Sequence, residues 1–253
     1  MEERWIQLGP VNTWYAVLGD VVVGDVVVGD VVVGDSEPLV FLHPGGVGAQ
    51  ALEVTVAGLA GALRVYTPER RGHGRTPDVE EPGVSTALTF SDMVTDTIAF
   101  IEQVVGGPVK LAGCSDGGVV ALLVALQRPD LVERLACVAS VFHRDGWGGG
   151  MSGQSDRSDF VRRLDDMHGA DPALTTADLA QLSMRTLVMI GDDDEVSIEH
   201  AAQFYRSVPD AEFAVVPGTS HGLLVEKPEL CNAILLDFLT QDATETFAPI
   251  RRA

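Results

Sequence analysis

Gly113-Cys114-Ser115-Asp116-Gly117-Gly118 is the stretch of this sequence best suited to covalent chemistry. A serine is a weak nucleophile unless a base takes its proton, and its hydroxyl must stand clear of the backbone to attack. It does stand clear at a sharp corner between a strand and a helix. That corner closes only if the residues two before and two after the serine are small. Gly113 and Gly117 hold those positions around Ser115. The turn has no Gly-Lys-Ser/Thr ending, which excludes a phosphate-binding loop.

Activating that serine takes a base, and the base takes a carboxylate that fixes its tautomer. VVPGTSHGLL supplies His221, and RTLVMIGDDDEVS supplies the neighbouring acids Asp192, Asp193, Asp194 and Glu195. Serine, then acid, then histidine is one chain order in which such a triad occurs. The acidic run also reads as a solvated turn or a metal loop. No histidine or second carboxylate cluster completes a ligand set, so no metal is expected.

These residues need a frame to bring them together. Apolar runs at 4–9, 12–18, 38–43, 63–68, 109–113, 134–140, 185–191 and 212–218 read as strands. From the third run onward most are separated by helical patterns at 47–61, 91–105, 117–127, 197–208 and 228–239. Thr89 with Asp92 reads as a capping-box-like start to the second helix. Strand alternating with helix predicts an α/β protein: a mostly parallel sheet of eight strands with helices on both faces and ligands beyond the carboxyl ends of the strands. Ser115, the acids and His221 each follow a strand directly.

Composition narrows the partners. A chain of 253 residues with 46% hydrophobic and 21% charged residues is ordinary for a globular protein, and a single domain over 1–253 is expected. No apolar run approaches the roughly 20 residues of a membrane span. The start MEERWIQLGP has no basic segment followed by an apolar core, so a cytoplasmic location is expected. Cys114, Cys137 and Cys231 have no metal-like spacing and suit a reducing compartment as small buried hydrophobes. A net charge of −20 repels phosphate backbones and anionic membranes, which leaves a small molecule as the expected partner, with no nucleic acid and no membrane.

HPGG at 43–46, RRGHGRT at 70–76, GCSDGG, GDDD and GTSH occur in the order and near the spacing of the α/β-hydrolase superfamily, which the whole chain except 20–35 resembles. The resemblance implies the α/β-hydrolase fold, with Ser115 at a nucleophile elbow. Its Gly-Asp-x-Asp pattern points to Asp194 as the acid and His221 as the base. It implies an oxyanion hole formed by the N–H of Asp116 and an N–H after the third strand. Pro44 has no N–H, so Gly45 is the first choice and Gly46 the second. Ser115 excludes the aspartate-nucleophile branches, and the Ser-Asp-Gly-Gly elbow is similar to that of the valacyclovir-hydrolase-like subgroup. No cofactor is implied.

In this fold a lid after the sixth strand selects the substrate. Here it spans 141–184 and is short, with a Gly/Ser/Asp-rich first part and a short helix near 160–166. Such a lid suits modest esters, and His143, Trp147 and Met151 read either as surface or lid-packing residues or as candidates for the pocket lining. Asp116 reads as an acid favoured in a first helical turn, or as an attractor of a cationic group near the ester. His43, His73, His168 and His200 read as structural or exposed. Residues 20–35 carry Val-Val-Val-Gly-Asp three times in tandem, inserted between the second and third strands. The insert interrupts a complete enzyme, and its Val-rich edges are expected to give homo-oligomer contacts or conformational multiplicity.

The expected activity is that of a serine esterase acting on a small carboxylic ester, lactone or thioester through an acyl-enzyme. The alternatives are a carbon–carbon bond hydrolase or lyase of the same fold, and a non-catalytic ligand receptor.

Overall fold

Strand residues that alternate strictly in direction, yet are apolar at every position, must be covered on both sides. The central strands of this protein come close to that kind, with polar residues such as Lys110, Arg134 and Arg185 near their starts. The computed structural model describes residues 1–19, 36–79, 87–148 and 158–248, so the valine repeat lies outside the described residues, as does Met151. Eight strands run β1 (Glu2–Leu8), β2 (Val11–Leu18), β3 (Pro38–Leu42), β4 (Arg64–Pro68), β5 (Val109–Cys114), β6 (Val132–Val138), β7 (Arg185–Gly191) and β8 (Ala211–Val216). They form one sheet in the order β1-β2-β4-β3-β5-β6-β7-β8. β1 and β2 form an antiparallel hairpin, β2 joins β4 antiparallel, and the remaining pairs are parallel.

The alternation sorts side chains into two apolar layers. Val40, Leu42, Leu111, Leu135, Val188 and Ile190 face one layer, where they meet α2 (Phe90–Phe100), α3 (Asp116–Gln127) and α6 (Ile198–Ser207) through Met93, Phe100, Val120 and Phe204. Leu39, Phe41, Ala112, Ala136, Leu187 and Met189 face the other. There they meet α1 (Glu53–Leu59), α7 (Leu223–Glu226) and α8 (Pro228–Thr240) through Val56, Leu59, Leu223 and Phe238. The exposed edge strand β1 is instead rich in charge, with Glu2, Glu3 and Arg4, which discourages pairing with another sheet. No helix among the described residues is long and apolar enough to cross a membrane.

Several boundaries differ from the sequence expectation. β6 ends at Val138 rather than 140, because Ala139 turns the chain with φ 48°. The pattern at 47–61 divides into a 3-10 turn, Ala49–Leu52, and α1. α2 begins as expected at the Thr89 cap, whose side chain accepts from the Asp92 N–H. It runs into a wide turn, Ile101–Val105, that Gly106 closes at φ 81°. Between β6 and β7 the helix expected at 160–166 is longer, α4 (Asp159–Ala170): Ser158 caps its start, and Leu164 and Met167 anchor it to the first apolar layer. A further short helix there, α5 (Thr176–Leu179), is nucleated by the Thr175–Asp178 capping box.

Candidate functional site

β5 and α3 meet at Ser115, which takes φ 53° and ψ −122°. A non-glycine residue in that region stores about 1–3 kcal/mol of strain, so the surroundings must hold it there. The Ser115 N–H donates to Val138 O at 2.8 Å, and its carbonyl accepts from Gly118 N at 2.8 Å and from the Ser140 hydroxyl at 3.0 Å. A Cβ on Gly113 would overlap the Gly117 backbone, and one on Gly117 would overlap the Leu42 and His43 carbonyls. Two glycines thus let β5, α3 and β3 converge under the serine.

The turns after β7 and β8 bring the other two residues to it. His221 Nε2 lies 3.0 Å from Ser115 Oγ, and His221 Nδ1 lies 2.8 Å from Asp194 Oδ1. The Asp194 side chain is fully buried, and its oxygens also accept from Val196 N and Gly191 N, each at 3.1 Å. Burial alone would raise the Asp194 pKa, but His221 and these two N–H donors outweigh it and the net shift is downward. For His221 burial pulls the pKa down, and the Asp194 hydrogen bond and charge, with Glu195 and Asp116, overcome it and raise it above 6.5. Asp192 does not reach the ring. Its Oδ1 accepts from Thr219 N at 3.0 Å and so ties the β7 turn to the His221 turn. Asp193 and Glu195 are exposed.

Opposite that pair, the loop after β3 packs on the nucleophile. The Arg70 guanidinium is buried and donates to His43 O and, at 3.0 Å, to Pro44 O. Buried His43 accepts from Arg70 N at 3.1 Å, and burial holds it neutral with a strongly lowered pKa, in keeping with a structural role. A Cβ on Gly45 would overlap the Asp116 carboxylate, so a larger residue there requires that carboxylate to move. Gly46 takes φ 74° and a Cβ there would touch only Leu164.

Asp116 stands in the first turn of α3, as expected of an acid there, and its side chain has a partner that the sequence does not suggest. Its carboxylate is 1% exposed, and Oδ1 meets His168 Nε2 of α4 at 2.7 Å. Two residues 52 positions apart, neither in a recognisable pattern, give a sequence reading no signal for that contact. Trp147 does adjoin the site, with its ring centroid 6.2 Å from that of His221 and 5.5 Å from that of His168. His143 accepts from Asp145 N at 3.2 Å, and its backbone bridges to Ala173, as a lid-packing residue does. The three cysteines are free and buried; burial pushes Cys114, beside the nucleophile, up to about 12, so it is a thiol and no rival to Ser115. Among the described residues no group of three His, Cys, Asp or Glu side chains could hold a metal ion.

Residues 39–234 match the model of the alpha/beta hydrolase family. The chain is 34% identical over 114 residues to a pimeloyl-[acyl-carrier protein] methyl ester esterase of Pectobacterium carotovorum subsp. carotovorum, covering 44% of this chain and 41% of that protein. Against the curated relatives at 34–38% identity the chain spans only 31–41% of their length. It is 24% identical to a 2-hydroxy-6-oxo-6-(2'-aminophenyl)hexa-2,4-dienoic acid hydrolase of Metapseudomonas resinovorans over 97% of this chain and 93% of that one. Among solved structures, a meta-cleavage product hydrolase from Pseudomonas fluorescens IP01 shares the fold with a TM-score of 0.74 at 17% identity, over 93% of this chain and 96% of that one. With its family model matched over most of its length on this sheet order, the chain belongs to the alpha/beta hydrolase family.

Proposed function

We propose that the protein is a serine hydrolase that cleaves a small carboxylic ester, lactone or thioester through an acyl-enzyme on Ser115. The observation that carries this reading is the hydrogen-bonded series from Ser115 through His221 to Asp194, at 3.0 and 2.8 Å. Ser115 Oγ bonds to the substrate carbonyl carbon as its proton passes to His221 Nε2, and Asp194 stabilises the imidazolium. The same proton then moves to the departing alkoxide. Water attacks the acyl carbon by the same route, and Ser115 recovers its proton. Asp116 heads α3, where N–H groups lack intrahelical partners, so its N–H and that of Gly45 are the donors assigned to the oxyanion. The described residues of the 141–184 interval, 141–148 and 158–184, are assigned to a short lid, with Trp147 in the pocket wall.

The relative named for a hexadienoic acid favours a second reading, carbon–carbon bond hydrolysis by the same residues. A panel of p-nitrophenyl esters, lactones and vinylogous diketones separates the two. Ester or lactone turnover is expected; turnover of diketones alone would favour the second reading. The pH dependence follows from His221. Only the neutral imidazole takes the serine proton, and its pKa lies above 6.5, so kcat/KM for p-nitrophenyl acetate should rise with pH through a midpoint above 6.5. An acid limb centred below about pH 6 would contradict the assigned base.

A further inference from the structure

Ser115 adjoins two histidine–aspartate pairs: its hydroxyl meets His221, which pairs with Asp194, and its chain neighbour Asp116 pairs with His168. The mechanism above uses only the first. In the second, Asp116 Oδ1 is engaged by His168 Nε2, while Oδ2 is buried without a partner among the described residues and lies against Gly45. A carboxylate there is a liability. On the reading above, the oxyanion forms between the N–H groups of Gly45 and Asp116, and a bare negative charge packed on that loop opposes it.

We propose that His168 is a positioning residue whose imidazolium holds and neutralises the Asp116 carboxylate, keeping unbalanced negative charge away from the oxyanion hole. Arg70 is the other cation facing Asp116 and acts on it through its charge, but its Nη1 and Nη2 donate to the His43 and Pro44 carbonyls and not to the carboxylate, which leaves His168 as its hydrogen-bonded cation. His73 also faces Asp116, yet burial and Arg70 hold its pKa at about 4, so it brings no charge near neutrality. His168 reaches the carboxylate from α4, between the rings of Trp147 and of Phe90 on α2, whose centroids lie 5.5 and 6.3 Å away. The charged groups acting on His168 are Asp116, Asp165 on its own helix and Arg70. Burial lowers its pKa, the two carboxylates overcome burial and the opposing Arg70, and the net shift is upward. The pair is therefore ionised below that raised value. Above it, His168 loses its charge and Asp116 does not.

The two histidines then make opposite demands: His221 must be neutral and His168 charged, so kcat/KM should be bell-shaped, with His168 setting the alkaline limb. The test compares pH profiles of wild type, His168→Gln, Asp116→Asn and the double variant on one p-nitrophenyl ester. Gln keeps a donor for Asp116 and removes the charge. His168→Gln is expected to lower kcat by about 100-fold, the scale of losing one oxyanion donor, with KM little changed and the alkaline limb gone. In the Asp116→Asn background the same change should cost less than about threefold, because no carboxylate remains to balance. Persistence of the alkaline limb in His168→Gln, or an equal cost in both backgrounds, would overturn the proposal. Should His168→Gln fail to fold, an NMR titration of wild type decides: the His168 pKa must coincide with the alkaline limb, and a mismatch overturns it. Failure of the underlying reading is distinguishable, since Ser115→Ala would then retain activity whatever His168 does.

Discussion

Ser115→Ala should lower kcat/KM on any turned-over ester by at least about four orders of magnitude, because the members of such a triad act as a unit. The same change should leave the fold intact. The hydroxyl is hydrogen-bonded to His221 and packs no core, while the features that hold the elbow, the Val138 O and Ser140 contacts and the glycines at 113 and 117, belong to backbone and neighbours. Alanine meets the same positive φ as serine, so the strain is carried over rather than increased. Steady-state kinetics with a thermal melt check this. A shift of the midpoint by no more than about 4 °C is expected. A folded variant with activity within tenfold of wild type would show that Ser115 is not the nucleophile.

Asp194→Asn should cost about 10,000-fold in kcat, as the amide would favour the wrong tautomer of His221. Asp192→Asn should cost less than about tenfold, a barrier change of roughly 1.4 kcal/mol. The difference comes from what each carboxylate touches. The Asp194 side chain is fully buried and reaches the imidazole at 2.8 Å, whereas Asp192 accepts from backbone N–H groups of the turn after β8, Gly218 and Thr219, which the carbonyl oxygen of Asn can also do. Parallel kinetics on the two variants would reveal a misplaced acid if the losses were equal.

Much of this was legible in the sequence because it rests on local rules. The central strands read as apolar runs since both of their faces are covered, and the elbow reads from glycines whose Cβ atoms have nowhere to go. Asp194 is singled out from four acids not by a local rule but by the resemblance, whose Gly-Asp-x-Asp pattern places it three residues beyond Gly191, the N–H of which its side chain accepts. What stayed hidden depends on contacts between distant segments. Asp116 at the start of α3 looks like a favourable helix-terminal charge, and only the packing of α4 reveals its pairing with His168. The same holds for Arg70, whose guanidinium clamps two carbonyls of the loop that carries Gly45. His143 sits four positions before Trp147, yet the 3-10 turn Arg144–Gly146 between them leaves one beside His221 and the other bonded within its own segment.

The claim that Ser115 becomes acylated is tested most directly by mass spectrometry of the protein after treatment with a fluorophosphonate, which traps an activated serine as a stable adduct. The account predicts one adduct per chain, located on the peptide containing Ser115, loss of activity in proportion to labelling, and labelling slowed at least about 1,000-fold in His221→Ala. An active enzyme that stays unlabelled at Ser115, or whose inactivation follows modification of another residue, would contradict it.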